Sequence, residues 1–150
     1  MDASQRVRPV GDRLGYLLKH ARERLAVLST GALAPFGITG RDLAVLAVLA
    51  QGDPPSQLEA AQRLSIDRTT MVGLLDGLEA KGLLERRADS ADRRRNIVAL
   101  TESGTRTLVD ASAAAETAER AFLAPLSAAD AERLRALLQA VVAAEDESRG

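Results

Sequence analysis

Ser56-Gln57-Leu58-Glu59-Ala60-Ala61-Gln62-Arg63-Leu64, then Ser65-Ile66-Asp67, then Arg68-Thr69-Thr70-Met71-Val72-Gly73-Leu74-Leu75-Asp76-Gly77-Leu78-Glu79-Ala80-Lys81, are the three consecutive pieces on which the fold turns. The first opens on Ser56-x-x-Glu59, the serine and acid of a capping box, and is read with Leu58, Ala61 and Leu64 inward. The second is a tight turn whose Asp67 is a good N-cap for the piece that follows. The third places Met71, Leu74, Leu75 and Leu78 at i, i+3, i+4 and i+7, a narrow apolar stripe, and Gly82 is a natural residue to end it. Two short helices joined this way predict a helix-turn-helix.

Immediately downstream the periodicity changes. Leu84 and Arg86, and across a turn Asn96, Val98 and Leu100, fit two short strands, with Asp89-Ser90-Ala91-Asp92 supplying the turn chemistry. Arg86, Arg87, Arg93, Arg94 and Arg95 bracket that turn. A second helix able to enter a major groove, followed by a basic hairpin, describes a winged helix.

Counted at 100° per residue from Met71, the face of the second helix opposite its stripe is centred on Thr69, Gly73, Asp76 and Ala80, flanked by Val72. It has no bulky residue, and Gly73 and Gly77 inside a helix each cost about 1 kcal/mol relative to Ala. Such a bare face either lets the helix backbone approach DNA, with Thr69 and Val72 against thymine methyls, or packs closely on another helix. Arg68 and Thr69 lie in the first turn, where free N–H groups and the helix dipole suit a phosphate oxygen; Arg68 suits a phosphate or a guanine edge. Thr70, beside them, belongs to the same candidate DNA-binding set. Asp76 is out of place among phosphates and is expected to pair with an arginine of the hairpin or to point along the duplex beyond contact.

Working outward, Leu14, Leu17, Leu18, Ala21, Leu25 and Leu28 recur at helical spacing and define a long first helix closed by Pro35 and Gly37. Thr39-x-x-Asp42 starts a nearly all-apolar helix, Leu43 to Ala50, that belongs in a core. After the hairpin, Thr101 caps a helix to about Leu123, Pro125 interrupts, and Ser127-x-x-Asp130 starts a last helix with Leu134, Leu137, Leu138, Val141 and Val142 on one stripe. The fold class is therefore mainly α with a small β-hairpin. Residues 1–150 form a single domain, with a winged helix-turn-helix over 39–101 flanked by N- and C-terminal dimerisation helices at 1–38 and 102–150. The terminal helices are long and narrow-striped, and 108–121 is dominated by Ala, so a two-fold homodimer interface is the expected way to cover them. The alternative is a monomer whose terminal helices fold back on each other.

Composition narrows the function. In 150 residues, 46% hydrophobic and 27% charged is ordinary for a globular chain, and the longest apolar run, Leu43 to Ala50, is far too short to span a membrane. The start, Met1-Asp2-Ala3-Ser4-Gln5-Arg6, lacks the apolar core of a signal peptide, so a cytoplasmic location and no membrane partner are expected. With no Cys and one His, disulfides, thiolate metal sites, cysteine nucleophiles, thiol redox sensing and multi-histidine centres are excluded. The net charge of −1 does not suggest a nucleic-acid binder, but its distribution does: 63–101 carries eight basic and six acidic residues, against five and nine in 102–150.

The run Leu64 to Arg86, with Leu78-Glu79-Ala80-Lys81-Gly82-Leu83 at its centre, followed by Asp92-Arg93-Arg94 and Val98-Ala99-Leu100-Thr101, resembles the MarR family of bacterial transcription regulators, and the resemblance extends along the whole chain. It implies a homodimer on a pseudo-palindromic double-stranded DNA operator, as a rule a repressor. The family's wing motif falls on Asp92 and Arg94, so that Arg94 would reach toward a minor groove while Asp92 braces the wing. Arg93 and Arg95 would then lie near flanking phosphates, the alternative being a solvated charged turn. Many relatives carry polar or basic residues where this chain has Val72, Gly73 and Gly77, so base readout here is expected to be sparse.

The family resemblance also implies a small aromatic or phenolic effector and no other cofactor. Tyr16, His20 and Arg24, on one face of the first helix, are the candidate pocket for it, or else plain surface residues. Phe36 and Phe122 are read as core or interface packing. No nucleotide-binding glycine loop, metalloprotease or nucleophile-elbow motif is present, so neither a catalytic residue nor a metal site is expected. The remaining rival is a winged-helix dimer that serves as a protein adaptor and binds no DNA.

Overall fold

The computed structural model describes residues 7–147, so the reading of Met1–Arg6 lies outside the described residues. Helix α1 (Leu14–Leu33) passes through a 3-10 turn at Ala34–Phe36 into Gly37, whose φ of 64° lets the chain reverse. Helix α2 (Gly40–Leu49) starts on a complete capping box: Asp42 N–H donates to Thr39 Oγ1 at 3.2 Å, and Thr39 N–H donates to Asp42 Oδ2 at 2.9 Å. Val45, Leu46 and Leu49 of α2 are buried, as an apolar helix requires. They meet Ala60 and Ala61 of α3 (Gln57–Arg63) and Met71, Leu75 and Leu78 of α4 (Arg68–Ala80), which together form the core of the lobe.

At Ser56-x-x-Glu59 only half of the capping box forms. Glu59 N–H donates to Ser56 Oγ at 3.2 Å, but the Glu59 carboxylate turns away to bind Arg95. Leu58 is also corrected: it is 59% exposed, because a helix of two turns seats only Ala60 and Ala61 against the core. The turn between α3 and α4 closes through Ile66 N–H to Ala61 O at 3.0 Å, with Ser65 in the left-handed region at φ 51°.

Strands β1 (Leu84–Ala88) and β2 (Asn96–Leu100) pair antiparallel, Leu84 opposite Leu100 and Ala88 opposite Asn96. The free edge of β2 is used once, where Val98 N–H donates to Pro55 O at 2.8 Å. Pro54 and Pro55 have no N–H of their own, so the segment can only accept, and it stops short of a third strand.

Thr101 caps α5 (Glu102–Leu123) and donates from Oγ1 to Gly82 O at 2.6 Å, joining α5 to the end of α4. Ala111 and Ala118 are buried where α1 lies along α5, the close approach that small residues permit. Helix α6 (Ala128–Glu147) follows, with Asp130 N–H capped by Ser127 Oγ at 3.1 Å. Leu137, Leu138, Val141 and Val142 of α6 are exposed, as are Leu14, Leu17 and Leu18 of α1. Among the described residues no single helix is long and apolar enough to cross a membrane; α1 and α2 pass such a test only as a pair bent by 66°.

Candidate nucleic-acid interface

The placement of α4 is fixed at both ends. At its start Asp67 Oδ2 accepts from Thr70 N–H at 2.9 Å and Oδ1 accepts from the Thr70 hydroxyl at 2.6 Å. The hydroxyl bond first, and the backbone bonds after it, hold the Asp67 carboxyl below its ordinary value of 3.8. At its end Gly82, with φ 73°, allows Gly82 N–H to reach Glu79 O at 2.9 Å and Leu83 N–H to reach Leu78 O at 3.0 Å. This is a Schellman closure, with Leu78 and Leu83 both buried beside it. Lys81 donates to the Gly37 carbonyl and lies 4.0 Å from Asp42 Oδ2, tying α4 to the α1–α2 turn.

Between these anchors the outward face is open. A Cβ added to Gly73 or Gly77 would meet nothing within 4 Å, so within the chain neither glycine serves close helix packing. Thr69, Gly73, Asp76 and Ala80 are exposed and Val72 is half-buried. Arg68 is exposed at the first turn, whereas the Thr70 hydroxyl is engaged by the cap.

The wing loop folds on its own carboxylates. Ala91 N–H donates to Asp89 Oδ1 at 3.0 Å, Arg94 N–H to Asp92 Oδ1 at 3.1 Å, and Arg95 N–H to Asp92 O at 3.0 Å. Asp92 therefore shapes the backbone that carries Arg94. Arg93 and Arg94 are exposed at the tip and, with Arg68, form no ion pair among the described residues. Arg95 differs. Its guanidinium pairs with Glu59 of α3, which anchors the wing base to the first helix of the pair and turns this cation away from the tip.

Arg86 is the residue whose part sequence reasoning missed. From β1 it donates through Nη2 to Asp76 Oδ1 at 2.7 Å, through Nη1 to Glu79 Oε1 at 2.9 Å, and through Nε to Gln57 Oε1 at 3.4 Å. Its backbone N–H also donates to Glu79 Oε2 at 3.2 Å. One guanidinium thus holds α3, α4 and the wing together, and of the two fates expected for Asp76 the pairing with a hairpin arginine is the one observed. The signal lay in two acids three residues apart on α4, just ahead of a strand arginine.

Tyr16 and His20 stack at 4.1 Å between ring centroids, tilted by 53°, and His20 Nδ1 is 3.2 Å from Glu23 Oε2. With Arg24 they lie on an exposed face of α1. An apolar cleft of about 180 Å³ opens elsewhere, between Leu25, Phe122, Leu134 and Leu138, with Arg135 and Glu119 paired at 3.4 Å on its edge.

A helix-turn-helix that runs through a glycine into a basic antiparallel hairpin is a winged helix-turn-helix, a DNA-binding class. A profile of the MarR family matches residues 36–95. The transcriptional repressor NicR of Pseudomonas putida is 35% identical over 103 residues, which span 68% of this chain and 64% of NicR. The transcriptional repressor CouR bound to a 23-mer DNA duplex superposes with a TM-score of 0.80 at 31% identity, over 89% of this chain and 94% of that one. CouR from Rhodococcus jostii bound to p-coumaroyl-CoA gives a TM-score of 0.75 at 31% identity, over 90% and 95%. The chain belongs to the MarR family.

Proposed function

We propose that this protein is a homodimeric transcriptional repressor that binds a pseudo-palindromic double-stranded DNA operator and is released by a small aromatic effector. The observation that carries the reading is the pairing of a bare outward face on α4, open at Gly73 and Gly77, with a wing tip presenting the unpaired Arg93 and Arg94. Helix α4 enters the major groove with Arg68, Thr69, Val72 and Gly73 toward the DNA. Arg94 enters the adjacent minor groove, where negative potential is enhanced over A·T runs. Thr70 acts through the cap and Arg95 through Glu59, so both position the interface. CouR, similar over nearly the whole chain and bound to a 23-mer DNA duplex, supports double-stranded DNA as the partner.

Residues 39–101 act as the DNA-binding lobe, and the helices on either side of it pair two copies. The exposed Leu137, Val141 and Val142 of α6 and Leu14 and Leu17 of α1 are the surfaces that pairing covers. Two heads about one helical turn apart then meet successive major grooves. For the effector, Tyr16, His20 and Arg24 offer an aromatic face and a cation to an aromatic acid, and the p-coumaroyl-CoA complex of CouR supports an aromatic effector.

Selection of bound sequences from a random duplex pool, with the winner's affinity followed against salt, tests the reading. An enriched near-palindrome whose binding weakens by several log units per log unit of salt is expected. No enrichment and no salt-dependent binding overturns it in favour of a protein adaptor.

A further inference from the structure

We propose that Asp76 is the base-reading side chain of α4: its free oxygen accepts a hydrogen bond from the exocyclic amine of a cytosine in the major groove, while Arg86 offsets its charge. The inference rests on the DNA-binding reading above and adds to it the base that is read.

The outward face of α4 leaves few candidates. Beyond the first turn it carries Gly73, Asp76, Gly77 and Ala80, and of these only Asp76 has a side chain that can form hydrogen bonds. Glu79, one turn further round, has both carboxylate oxygens occupied, Oε1 by Arg86 Nη1 and Oε2 by Arg86 N–H. Asp76 uses Oδ1 alone; its Oδ2 accepts no hydrogen bond among the described residues, and its side chain is 63% exposed.

An acid facing a duplex is ordinarily repelled by phosphate, and here that objection is met locally. The Arg86 guanidinium lies 2.7 Å from Oδ1, is itself held by Gln57 and Glu79, and is only 26% exposed. The carboxylate is therefore both oriented and partly neutralised before DNA arrives, which lowers the cost of presenting it to a base.

Reach is the second requirement. Asp is short, so it touches a base edge only if the helix backbone comes close to the floor of the groove. Gly73 and Gly77 flank Asp76, and beyond the adjoining residues and the helix's own backbone nothing lies within 4 Å of where their Cβ would stand. The two glycines and the short acid thus belong to one device.

The chemistry selects cytosine. A carboxylate only accepts, and cytosine offers the N4 amine to the major groove, whereas adenine sets the N7 acceptor beside its N6 amine and would repel the second oxygen. Asn reverses that preference, since its amide both accepts from N6 and donates to N7.

The test is sequence selection from a random duplex pool with the full-length protein, its Asp76→Ala and its Asp76→Asn variants, followed by affinities on single-base operator variants. For the unaltered protein, one position of each half-site should be cytosine, and replacing it should cost about tenfold or more. Asp76→Ala should lose the preference at that position alone and bind the best site at least as tightly, since an acid has gone. Asp76→Asn should move the preference there to adenine. A preference profile unchanged at every position in both variants overturns the proposal, as does an equal loss of affinity on all sequences, which would mark Asp76 as a brace for Arg86 only. Should the unaltered protein itself enrich no sequence, the DNA reading falls and this inference with it.

Discussion

Arg86 Nη2 donates to Asp76 Oδ1 at 2.7 Å, so the wing's first strand grips the groove-facing helix through a cation that is mostly shielded from solvent. The same guanidinium binds Glu79, which makes the contact a network and not a lone surface pair. Removing it leaves two acids uncompensated on the side of α4 that meets phosphate. Arg86→Ala should cost about 1 kcal/mol of stability, since the acids remain partly solvated, yet lower operator affinity on every sequence, most at low salt. Adding Glu79→Gln, which leaves the base-reading Asp76 in place, should restore part of the affinity without restoring the lost contacts. Titration of labelled operator by the single and double variants measures both effects; no recovery in the double variant would reduce Arg86 to a packing residue.

The two wing arginines nearest the tip and base should separate cleanly. Arg94 is exposed and unpaired, while Arg95 is bound to Glu59. Arg94→Ala should weaken DNA binding about tenfold or more, with the largest loss on sites flanked by A·T runs, and leave the melting temperature unchanged. Arg95→Ala removes an ion pair exposed on both sides and should cost under about 1 kcal/mol of stability, with a smaller loss of affinity than Arg94→Ala. Anisotropy titrations beside thermal melts measure the pair; equal affinity losses would place both cations on DNA.

Acid should act through Asp67. Its carboxyl is held below the ordinary 3.8 by the Thr70 hydroxyl and N–H, so the unfolded chain binds the proton more readily than the folded one. The cap's contribution is complete above that ordinary value and is lost as pH falls through the lower folded value. Asp67→Asn keeps a capping oxygen but cannot titrate. Urea unfolding of the two proteins between pH 5 and about 2 should show the steeper acid loss in the unaltered protein, and parallel curves would contradict the cap.

Much of this arrangement is legible before any coordinates, because caps and glycines act locally. Asp67, Gly82 and Thr101 bound their elements where their chemistry predicts, and the change from helical to alternating periodicity places the hairpin at Leu84–Ala88 and Asn96–Leu100. What escapes is what depends on distant partners. Ser56-x-x-Glu59 has the spacing of a capping box, yet Glu59 is taken by Arg95, 36 residues away. Thr39-x-x-Asp42, the less typical sequence, forms both bonds. Leu58 sits at inward spacing, but a helix as short as α3 has no length over which periodicity can average. Ser65 occupies a left-handed position that glycine normally marks, so nothing in its residue type announces the turn geometry.

Two glycine-to-alanine substitutions should have opposite effects on the fold and together test what the bare face is for. At Gly104 a Cβ would lie 1.8 Å from the Leu83 carbonyl oxygen, a backbone atom that cannot swing aside without disturbing the α4–β1 junction. Gly104→Ala should therefore destabilise by about 3 kcal/mol or more, read as a lowered urea midpoint. At Gly73 the same Cβ meets open space, and the helix gains from losing a glycine, so Gly73→Ala should stabilise the protein by about 1 kcal/mol. If the face were ordinary solvent-exposed surface, DNA binding would be untouched or slightly improved by that gain. If the backbone of α4 must approach the groove floor, the added methyl stands between helix and bases, and operator affinity should fall although the fold is more stable. A variant that melts higher and binds less is the expected outcome; higher melting with unchanged binding would mean that Gly73 does not face DNA.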